Sequence, residues 1–209
     1  MVLDRFRGEI DPILSKLARY VIKINPDVFT WLSLLFATLA GLTFYLSSYE
    51  NSLYLPIASL FIFINGLLDA IDGKVAKINK KNSPRGDFLD HVIDRYADIF
   101  IVGGLSLSLW CDLRIGFFAI IGMFLTSYMG TQAQAVGYKR VYSGLLGRAD
   151  RLTLLMIIPV LQYILLQYNV FVLWGFNLLE WSLIYIAIMG NITALQRFYH
   201  TLYILKKKQ

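Results

Sequence analysis

Cysteine and histidine are scarce in this chain, which has one cysteine, Cys111, and two histidines. A single cysteine excludes an intrachain disulfide and a zinc site built on several thiolates. Residues 1–24 lack an uninterrupted apolar core before a small-residue cleavage site, so we expect no cleaved signal peptide. No stretch rich in proline, glycine and serine divides the chain, which indicates a single main domain.

Long apolar runs dominate the rest of the sequence. The chain is 57% hydrophobic with a mean hydropathy of +0.57, and its polar residues fall in short breaks. This pattern is typical of an integral membrane protein. We place six spanning runs near 28–48, from 53 into the following acidic segment, 88–110, 115–137, 152–168 and from about 170 or 178 to 197.

Basic residues are distributed asymmetrically between the two sides of these spans. Of the 20 Lys and Arg residues, only Arg114 falls in a predicted outer connection. By the positive-inside rule, both termini are then cytoplasmic. The same distribution explains the net charge of +6 as contact with a membrane surface and argues against nucleic acid.

An amphipathic pattern precedes the first span. Apolar residues recur on one helical face, with basic residues largely off it: Ile10, Ile13, Leu14, Leu17, Ala18 and Val21 against Arg5, Lys16, Arg19 and Lys23. The alternative is an ordinary cytoplasmic segment. We predict an interfacial helix within residues 1–24 and a six-helix membrane domain over 25–209, an all-α integral membrane fold.

Carboxylates concentrate where the second and third spans meet the cytoplasm. Six of the chain's 14 acidic residues lie there: Asp69, Asp72, Asp87, Asp90, Asp94 and Asp98. Asp69 and Asp72 are three residues apart, and Asp90 and Asp94 four apart, so each pair shares a helix face. Ser83 is a predicted N-cap before Pro84. Two consecutive helices would therefore present four carboxylates to each other.

Four carboxylates this close repel one another unless a positive group lies between them. Hard oxygen ligands, with no Cys or His at ligand spacing, suit Mg²⁺ or Mn²⁺. Four carboxylates could hold two such ions, a common arrangement for phosphoryl chemistry. The alternative is a charge-paired acid cluster without catalytic function, with Lys74, Lys77 and Arg95 as partners. We read Asp87 and Asp98 as helix-terminal or paired acids, and His91 as a packing or hydrogen-bonding residue.

The stretch from Asp69 to Asp94 resembles the signature of the CDP-alcohol phosphatidyltransferase family, D-x2-D-G-x2-A-R-x8-G-x3-D-x3-D. Every spacing fits, and the matching residues are Asp69, Asp72, Gly73, Ala76, Gly86, Asp90 and Asp94. Lys77 stands where the family has arginine. Lysine keeps the positive charge but lacks the planar guanidinium group that can form two parallel hydrogen bonds. The stretch "NPDVFT" from Asn25 to Thr30 also resembles the family's "PN-x-x-T" motif, which implies a place beside the nucleotide; a Pro-Asp turn before a helix is the alternative.

The resemblance implies six spans and transfer of a phosphatidyl-type group from a CDP-lipid to an alcohol, with release of CMP. It implies that two divalent ions are held by Asp69, Asp72, Asp90 and Asp94, with Asp94 as general base. It assigns the cytidine diphosphate to Asp72, Gly73, Ala76, Lys77 and Gly86. It also implies a homodimer, for which we expect the third and fourth spans to form the contact.

The acceptor is suggested by "GRADR" at 147–151. Arg148 and Arg151 share a helix face, and two guanidinium groups suit a phosphate on the acceptor; positive-inside anchoring is the alternative. The segment resembles the "ER-x-ER" element of the phosphatidylinositol phosphate and archaetidylinositol phosphate synthases, which implies inositol 1-phosphate. Where bacterial members carry basic residues, this chain has Gly130 and Gln132. Further acceptor candidates are Gln132, Lys139 and Arg140.

Three alternatives stay open at this point. Glycerol 3-phosphate is also phosphorylated, so the two arginines do not exclude it as acceptor. Acidic residues within a membrane protein can mark the pathway of a divalent-cation transporter, and a membrane scaffold without activity is the third alternative. The lysine, isoleucine and tyrosine content favours a thermophilic archaeon and an isoprenoid donor, CDP-archaeol.

Overall fold

The computed structural model describes residues 7–79 and 83–207. Within these ranges the regular structure is helical apart from one isolated β-bridge between Leu173 and Phe176. Arg5 and the side chain of Ile10, both part of the predicted amphipathic pattern, lie outside what is described. The helices are α1 (Arg7–Tyr20), α2 (Pro26–Leu46), α3 (Tyr54–Ile78), α4 (Pro84–Ser106), α5 (Leu113–Ala135), α6 (Arg148–Gln167) and α7 (Leu178–Lys206).

Five of these helices are long and apolar enough to cross a membrane: α2, α3, α5, α6 and α7. Helix α4 has a similar length, but its charged residues between positions 85 and 98, Asp90, Asp94, Arg95 and Asp98 among them, lower its hydropathy. The chain is an all-α, multi-pass membrane protein.

Side-chain caps determine where α2 and α4 begin. The Ser83 side chain accepts a hydrogen bond from the Gly86 backbone N–H at 3.1 Å, and Pro84 occupies the first helical position. This confirms the predicted cap, and it starts α4 four residues before the apolar run. Asn25 caps α2 in the same way, accepting from the Asp27 backbone N–H at 3.2 Å.

Two glycines let α2 and α4 touch backbone to backbone. A Cβ on Gly41 would collide with the Phe100 carbonyl group, and one on Gly104 would collide with the backbone of Gly41. Small residues at such crossings are how membrane helices approach closely. The crossing fixes α4 on α2, and α2 also packs against α3. Helix α2 thereby holds the two acidic helices in place.

Helix α1 packs against α3. Ala18 is fully buried and clusters with Phe29, Ile71 and Val75, and Lys74 forms an ion pair with Asp11. Ile13 remains 63% exposed on α1. Part of the predicted apolar face is therefore uncovered by the protein.

Candidate active site

The aspartates of α3 and α4 converge. Asp69, Asp72 and Asp90 each offer a carboxylate oxygen, and these three atoms lie within 4.8 Å of one another. Asp90, His91 and Asp94 form a second such group. The two groups share Asp90, so all four signature carboxylates belong to one cluster.

An arginine from α6 enters this cluster. Arg148 Nη1 lies 2.8 Å from Asp69 Oδ2 and 2.7 Å from Asp94 Oδ1, so one nitrogen bridges α3 and α4. Its Nε lies 3.4 Å from Asp98 Oδ1. Its Nη2 is buried, and no described residue accepts a hydrogen bond from it. The Asp150 carboxylate accepts from the Gly147 backbone N–H at 2.9 Å and so orders the turn that carries Arg148.

Asp98 anchors the arginines beneath the cluster. Its side chain and that of Arg151 are each 3% exposed, and Arg151 Nη2 donates to Asp98 Oδ2 at 2.9 Å. Arg95 Nη1 lies 3.4 Å from the same oxygen, and Arg95 also donates a hydrogen bond to Ser127 on α5. Of the two predicted readings of Asp98, helix-terminal or paired acid, the ion pairs agree with the second, and the residue joins three arginines: Arg95, Arg148 and Arg151.

The start of α2 supports Asp72. The buried hydroxyl of Thr30 donates to Asp72 Oδ2 at 2.8 Å. Asn25 and Pro26 start this helix, so the "NPDVFT" stretch places Thr30 one turn into it. Its position next to Asp72 explains why this motif matters to the acidic cluster.

The residues suit a divalent ion. Their donors are hard carboxylate oxygens on four side chains, which Mg²⁺ and Mn²⁺ prefer. The charges also fit, because the acids outnumber the guanidinium groups that contact them: Asp69, Asp72, Asp90, Asp94 and Asp98 against Arg95, Arg148 and Arg151. Lys74 pairs with Asp11 and Lys77 is exposed, which weakens the reading of a fully charge-paired cluster.

The surface beside Asp72 is open. A Cβ on Gly73 would meet nothing within 4 Å, so helix packing does not require glycine there. Ala76 is half-buried and Lys77 exposed on the same helix, and Gly86 lies in the first turn of α4. Small side chains at an open face leave room for a ligand to approach the backbone.

The weaker acceptor candidates differ in their surroundings. Gln132 on α5 and Lys139 after it are exposed. Arg140 is half-buried, contacts the ring nitrogen Nε2 of His91 and lies 5.3 Å from the centre of the Tyr142 ring. His91 neighbours Asp90, so Arg140 is the one of these three that the structure brings towards the carboxylates.

Arg197 on α7 was not identified from the sequence. It is 5% exposed, and its guanidinium donates to the backbone carbonyls of Ser143, Thr126 and Tyr142 at 2.8, 2.6 and 3.1 Å. A Cβ on Gly130 would lie 2.8 Å from the Val141 carbonyl oxygen and 3.2 Å from Arg197 Nη1. Arg197 therefore fastens the 141–143 segment to α5, and its isolated charge in an apolar run was the available signal.

Comparison with known proteins agrees with this geometry. A family model described as CDP-alcohol phosphatidyltransferase matches residues 23–193. The chain belongs to the CDP-alcohol phosphatidyltransferase family. The family prediction is therefore confirmed, and this CDP-alcohol phosphatidyltransferase is a phosphotransferase enzyme.

Two curated relatives cover nearly the whole chain. The archaetidylinositol phosphate synthase of Pyrococcus horikoshii is 26% identical over 95% of this chain and 95% of its own length. The phosphatidylinositol phosphate synthase of Cutibacterium acnes is 27% identical over 94% of this chain and 95% of its own. Members of the family with these names are thus similar to this transferase over 94–95% of its length.

Solved structures share its fold. The Mycobacterium tuberculosis phosphatidylinositol phosphate synthase with CDP-DAG bound superposes with a TM-score of 0.71, covering 91% of this chain and 94% of that one at 22% identity. A crystal structure of the same enzyme in complex with manganese and citrate has the same TM-score at 21% identity. The transferase therefore has the architecture seen in that enzyme.

Proposed function

We propose that this transferase moves a phosphatidyl-type group from a CDP-lipid, CDP-archaeol, to inositol 1-phosphate and releases CMP. The observation that carries the proposal is Arg148, whose guanidinium joins the signature aspartates and keeps a buried N–H without a described acceptor. A cationic donor beside a metal-type carboxylate cluster suits an acceptor that carries a phosphate. The names of the two full-length relatives support inositol phosphate over glycerol 3-phosphate.

The four signature aspartates would hold two Mg²⁺ or Mn²⁺ ions. When bound, such ions neutralise the diphosphate of the donor and ease the departure of CMP. Asp69 and Asp72 contribute from α3, and Asp90 and Asp94 from α4. Thr30 keeps the Asp72 carboxylate oriented through its 2.8 Å hydrogen bond. The Mycobacterium tuberculosis structure with manganese supports a divalent ion of this kind.

Asp94 takes the proton in the transfer. The acceptor hydroxyl oxygen forms a bond to the lipid-side phosphorus, the bond from that phosphorus to the CMP oxygen breaks, and the hydroxyl proton passes to the Asp94 carboxylate. Asp94 Oδ1 lies 2.7 Å from Arg148 Nη1. Inositol 1-phosphate whose phosphate is held by Arg148 would therefore have its ring hydroxyls next to Asp94.

Gly73, Ala76, Lys77 and Gly86 bind the cytidine diphosphate together with Asp72. Gly73 contributes space, because nothing lies within 4 Å of the position a Cβ would take. Lys77 contributes one positive charge on a flexible side chain where the family pattern has the planar guanidinium of an arginine. The donor then approaches α3 from its open side and reaches the carboxylates with its diphosphate.

Arg148 and Arg151 serve the acceptor phosphate in different ways. Arg148 is close to the reacting groups and still has a donor to offer. Arg151 Nη2 donates to Asp98 Oδ2 at 2.9 Å, and Arg151 adds a second positive charge on the same helix face as Arg148. Arg140, and more weakly Gln132 and Lys139, complete the acceptor side.

The membrane arrangement is part of the proposal. All six helices from α2 to α7 cross the bilayer, α4 included, and α1 lies on the cytoplasmic surface with its uncovered apolar side chains in the lipid. Both termini and the carboxylate cluster then face the cytoplasm. Residues 1–24 form the interfacial unit and 25–209 the membrane domain. Two copies pair through α4 and α5.

CMP release tests the function. Purified protein receives CDP-archaeol and Mg²⁺ with inositol 1-phosphate, glycerol 3-phosphate, serine or free inositol in separate reactions, and Asp94→Asn serves as the inactive control. We expect CMP only with inositol 1-phosphate. CMP with glycerol 3-phosphate alone would refute the acceptor and keep the reaction class, and acceptor-independent movement of Mn²⁺ across vesicles without CMP would refute the transferase.

A further inference from the structure

Arg148 contacts the two carboxylates that link α3 to α4 in the cluster. Its Nη1 lies 2.8 Å from Asp69 Oδ2 and 2.7 Å from Asp94 Oδ1. These are the distances of charge-assisted hydrogen bonds between a guanidinium and two carboxylates. Both oxygens belong to residues that the proposed function assigns to the divalent ions.

A divalent ion bound by Asp69 and Asp94 would compete with this guanidinium for the same two oxygens. Magnesium binds carboxylate oxygens at about 2.0–2.1 Å. An ion bound to these two oxygens would place a second positive charge a few ångströms from Nη1 and draw on the same negative charge. The repulsion between the two cations is strong in a partly buried site, where the effective dielectric constant is low.

The guanidinium has another arrangement open to it. Its Nε lies 3.4 Å from Asp98 Oδ1, which would keep the base of the group in place while its tip moves. Asp98 is itself held by Arg151 at 2.9 Å. Nη2 is buried and has no hydrogen-bond acceptor among the described residues, so a moved tip would bring two N–H groups to a new anion. A phosphate accepts two such bonds from one guanidinium.

We infer that Arg148 competes with the divalent ion for Asp69 and Asp94, and that metal binding releases the Arg148 guanidinium to bind the acceptor phosphate. This rests on the proposed function, because the acceptor must carry a phosphate. The consequence is a linkage: metal tightens the binding of the phosphorylated acceptor, and the acceptor tightens the binding of metal by the same factor. The order of events becomes metal first and acceptor second.

The test measures Mn²⁺ binding without CDP-lipid, so no turnover occurs. Free Mn²⁺ is followed by electron paramagnetic resonance in the detergent-solubilised protein, with and without saturating inositol 1-phosphate and with protein-free blanks. In the unaltered protein, inositol 1-phosphate should lower the Mn²⁺ Kd at least threefold. In Arg148→Gln, Mn²⁺ alone should bind about tenfold more tightly, because a competing charge is gone, and inositol 1-phosphate should add nothing.

Arg85→Gln is the matched control, since it removes one positive charge from the first turn of α4, where the charge pairs with Asp27 and not with Asp69 or Asp94. It should keep the wild-type ratio between the two Mn²⁺ Kd values. Arg148→Lys provides a second variant: it retains the competing charge but lacks the second nitrogen, so it should keep Mn²⁺ affinity near wild type and lose the acceptor effect.

Weaker or unchanged Mn²⁺ binding in Arg148→Gln would overturn the inference, because a merely structural arginine would loosen the site when lost. Persistence of the acceptor effect in that variant or in Arg148→Lys would overturn it as well. Failure of the proposed function looks different: glycerol 3-phosphate would then replace inositol 1-phosphate as the ligand that tightens Mn²⁺, while Arg148→Gln would still bind Mn²⁺ more tightly.

Discussion

Replacing Asp98 by asparagine should destabilise the fold by about 3–5 kcal/mol, the usual cost of breaking a buried ion pair from one side. The Asp98 and Arg151 side chains are each 3% exposed, and their 2.9 Å contact is the one ion pair found for Arg151 within residues 7–79 and 83–207. The change leaves a buried guanidinium without a carboxylate. The amide of asparagine has nearly the same shape as the carboxylate, so the loss of stability comes from the missing charge and not from a cavity.

A double variant separates the interaction energy between Asp98 and Arg151 from the effect of each single substitution. In Asp98→Asn with Arg151→Gln, two neutral amides replace the two charges and no buried charge is left uncompensated. Replacement of both partners of a buried pair by hydrophobic residues of similar size is often nearly neutral, and two amides can in addition hydrogen-bond to each other. The double variant should therefore be more stable than Asp98→Asn alone, with a coupling energy of about 1.5 kcal/mol or more between the two positions.

An exposed ion pair provides the control. Asp112 and Arg114 are 2.8 Å apart, and the Arg114 side chain is 87% exposed. Hydrogen bonds from the side chain and backbone N–H of Arg114 lower the pKa of Asp112 to about 2. Exposed pairs of this kind contribute little to stability, because water and salt screen them. Asp112→Asn should leave the unfolding temperature almost unchanged.

Thermal unfolding of the purified protein in one mild detergent measures all four proteins side by side. The expected order of stability is wild type and Asp112→Asn together, then the double variant, then Asp98→Asn. Similar unfolding temperatures for Asp98→Asn and Asp112→Asn would refute the reasoning, since burial would then make no difference to the charge.

Four further predictions concern the site and its surroundings. Asp94→Asn should abolish CMP release while retaining the wild-type unfolding temperature within a few degrees; residual turnover near wild type would remove it as the base. Arg148→Gln should raise the KM of the acceptor more than that of the CDP-lipid, and equal effects would argue against a phosphate contact. Gly73→Ala should raise the donor KM without loss of stability. Gly103→Ala, also at an open position, should change neither the donor KM nor the stability. Burial raises the pKa of Cys111 to about 12; its thiol therefore stays protonated below that pH and should react with maleimide at pH 8 about a thousandfold more slowly than a free thiol, which mass spectrometry checks.

Most of the fold could be predicted from the chain because apolar length and turn chemistry are local signals. Ser83 and Pro84 defined the start of α4 through a cap that the structure confirms. The predicted bounds erred where helices continue into charged segments: α6 begins at Arg148 instead of residue 152, and α7 extends to Lys206. Hydropathy detects the part of a helix within the lipid and misses the polar turns beyond it.

The candidate site was predictable in part for the same reason. The spacing of the aspartates on α3 and α4 is a local property, and it required a positive group between them. The identity of one such group was not local: Arg148 is 79 residues from Asp69 in sequence. The role of Asp98 as an anchor for several arginines likewise depends on how α4 and α6 meet, which no spacing within either helix encodes.

An isotope experiment tests the central claim most directly. Inositol 1-phosphate carrying ¹⁸O in its hydroxyl groups is incubated with CDP-archaeol, Mg²⁺ and the purified protein, and the lipid product and CMP are analysed by mass spectrometry. The account predicts a lipid that contains the intact inositol phosphate with every ¹⁸O atom retained, together with unlabelled CMP in equal amount. Loss of one ¹⁸O from the lipid, or its appearance in CMP, would contradict attack by the acceptor hydroxyl on the lipid-side phosphorus.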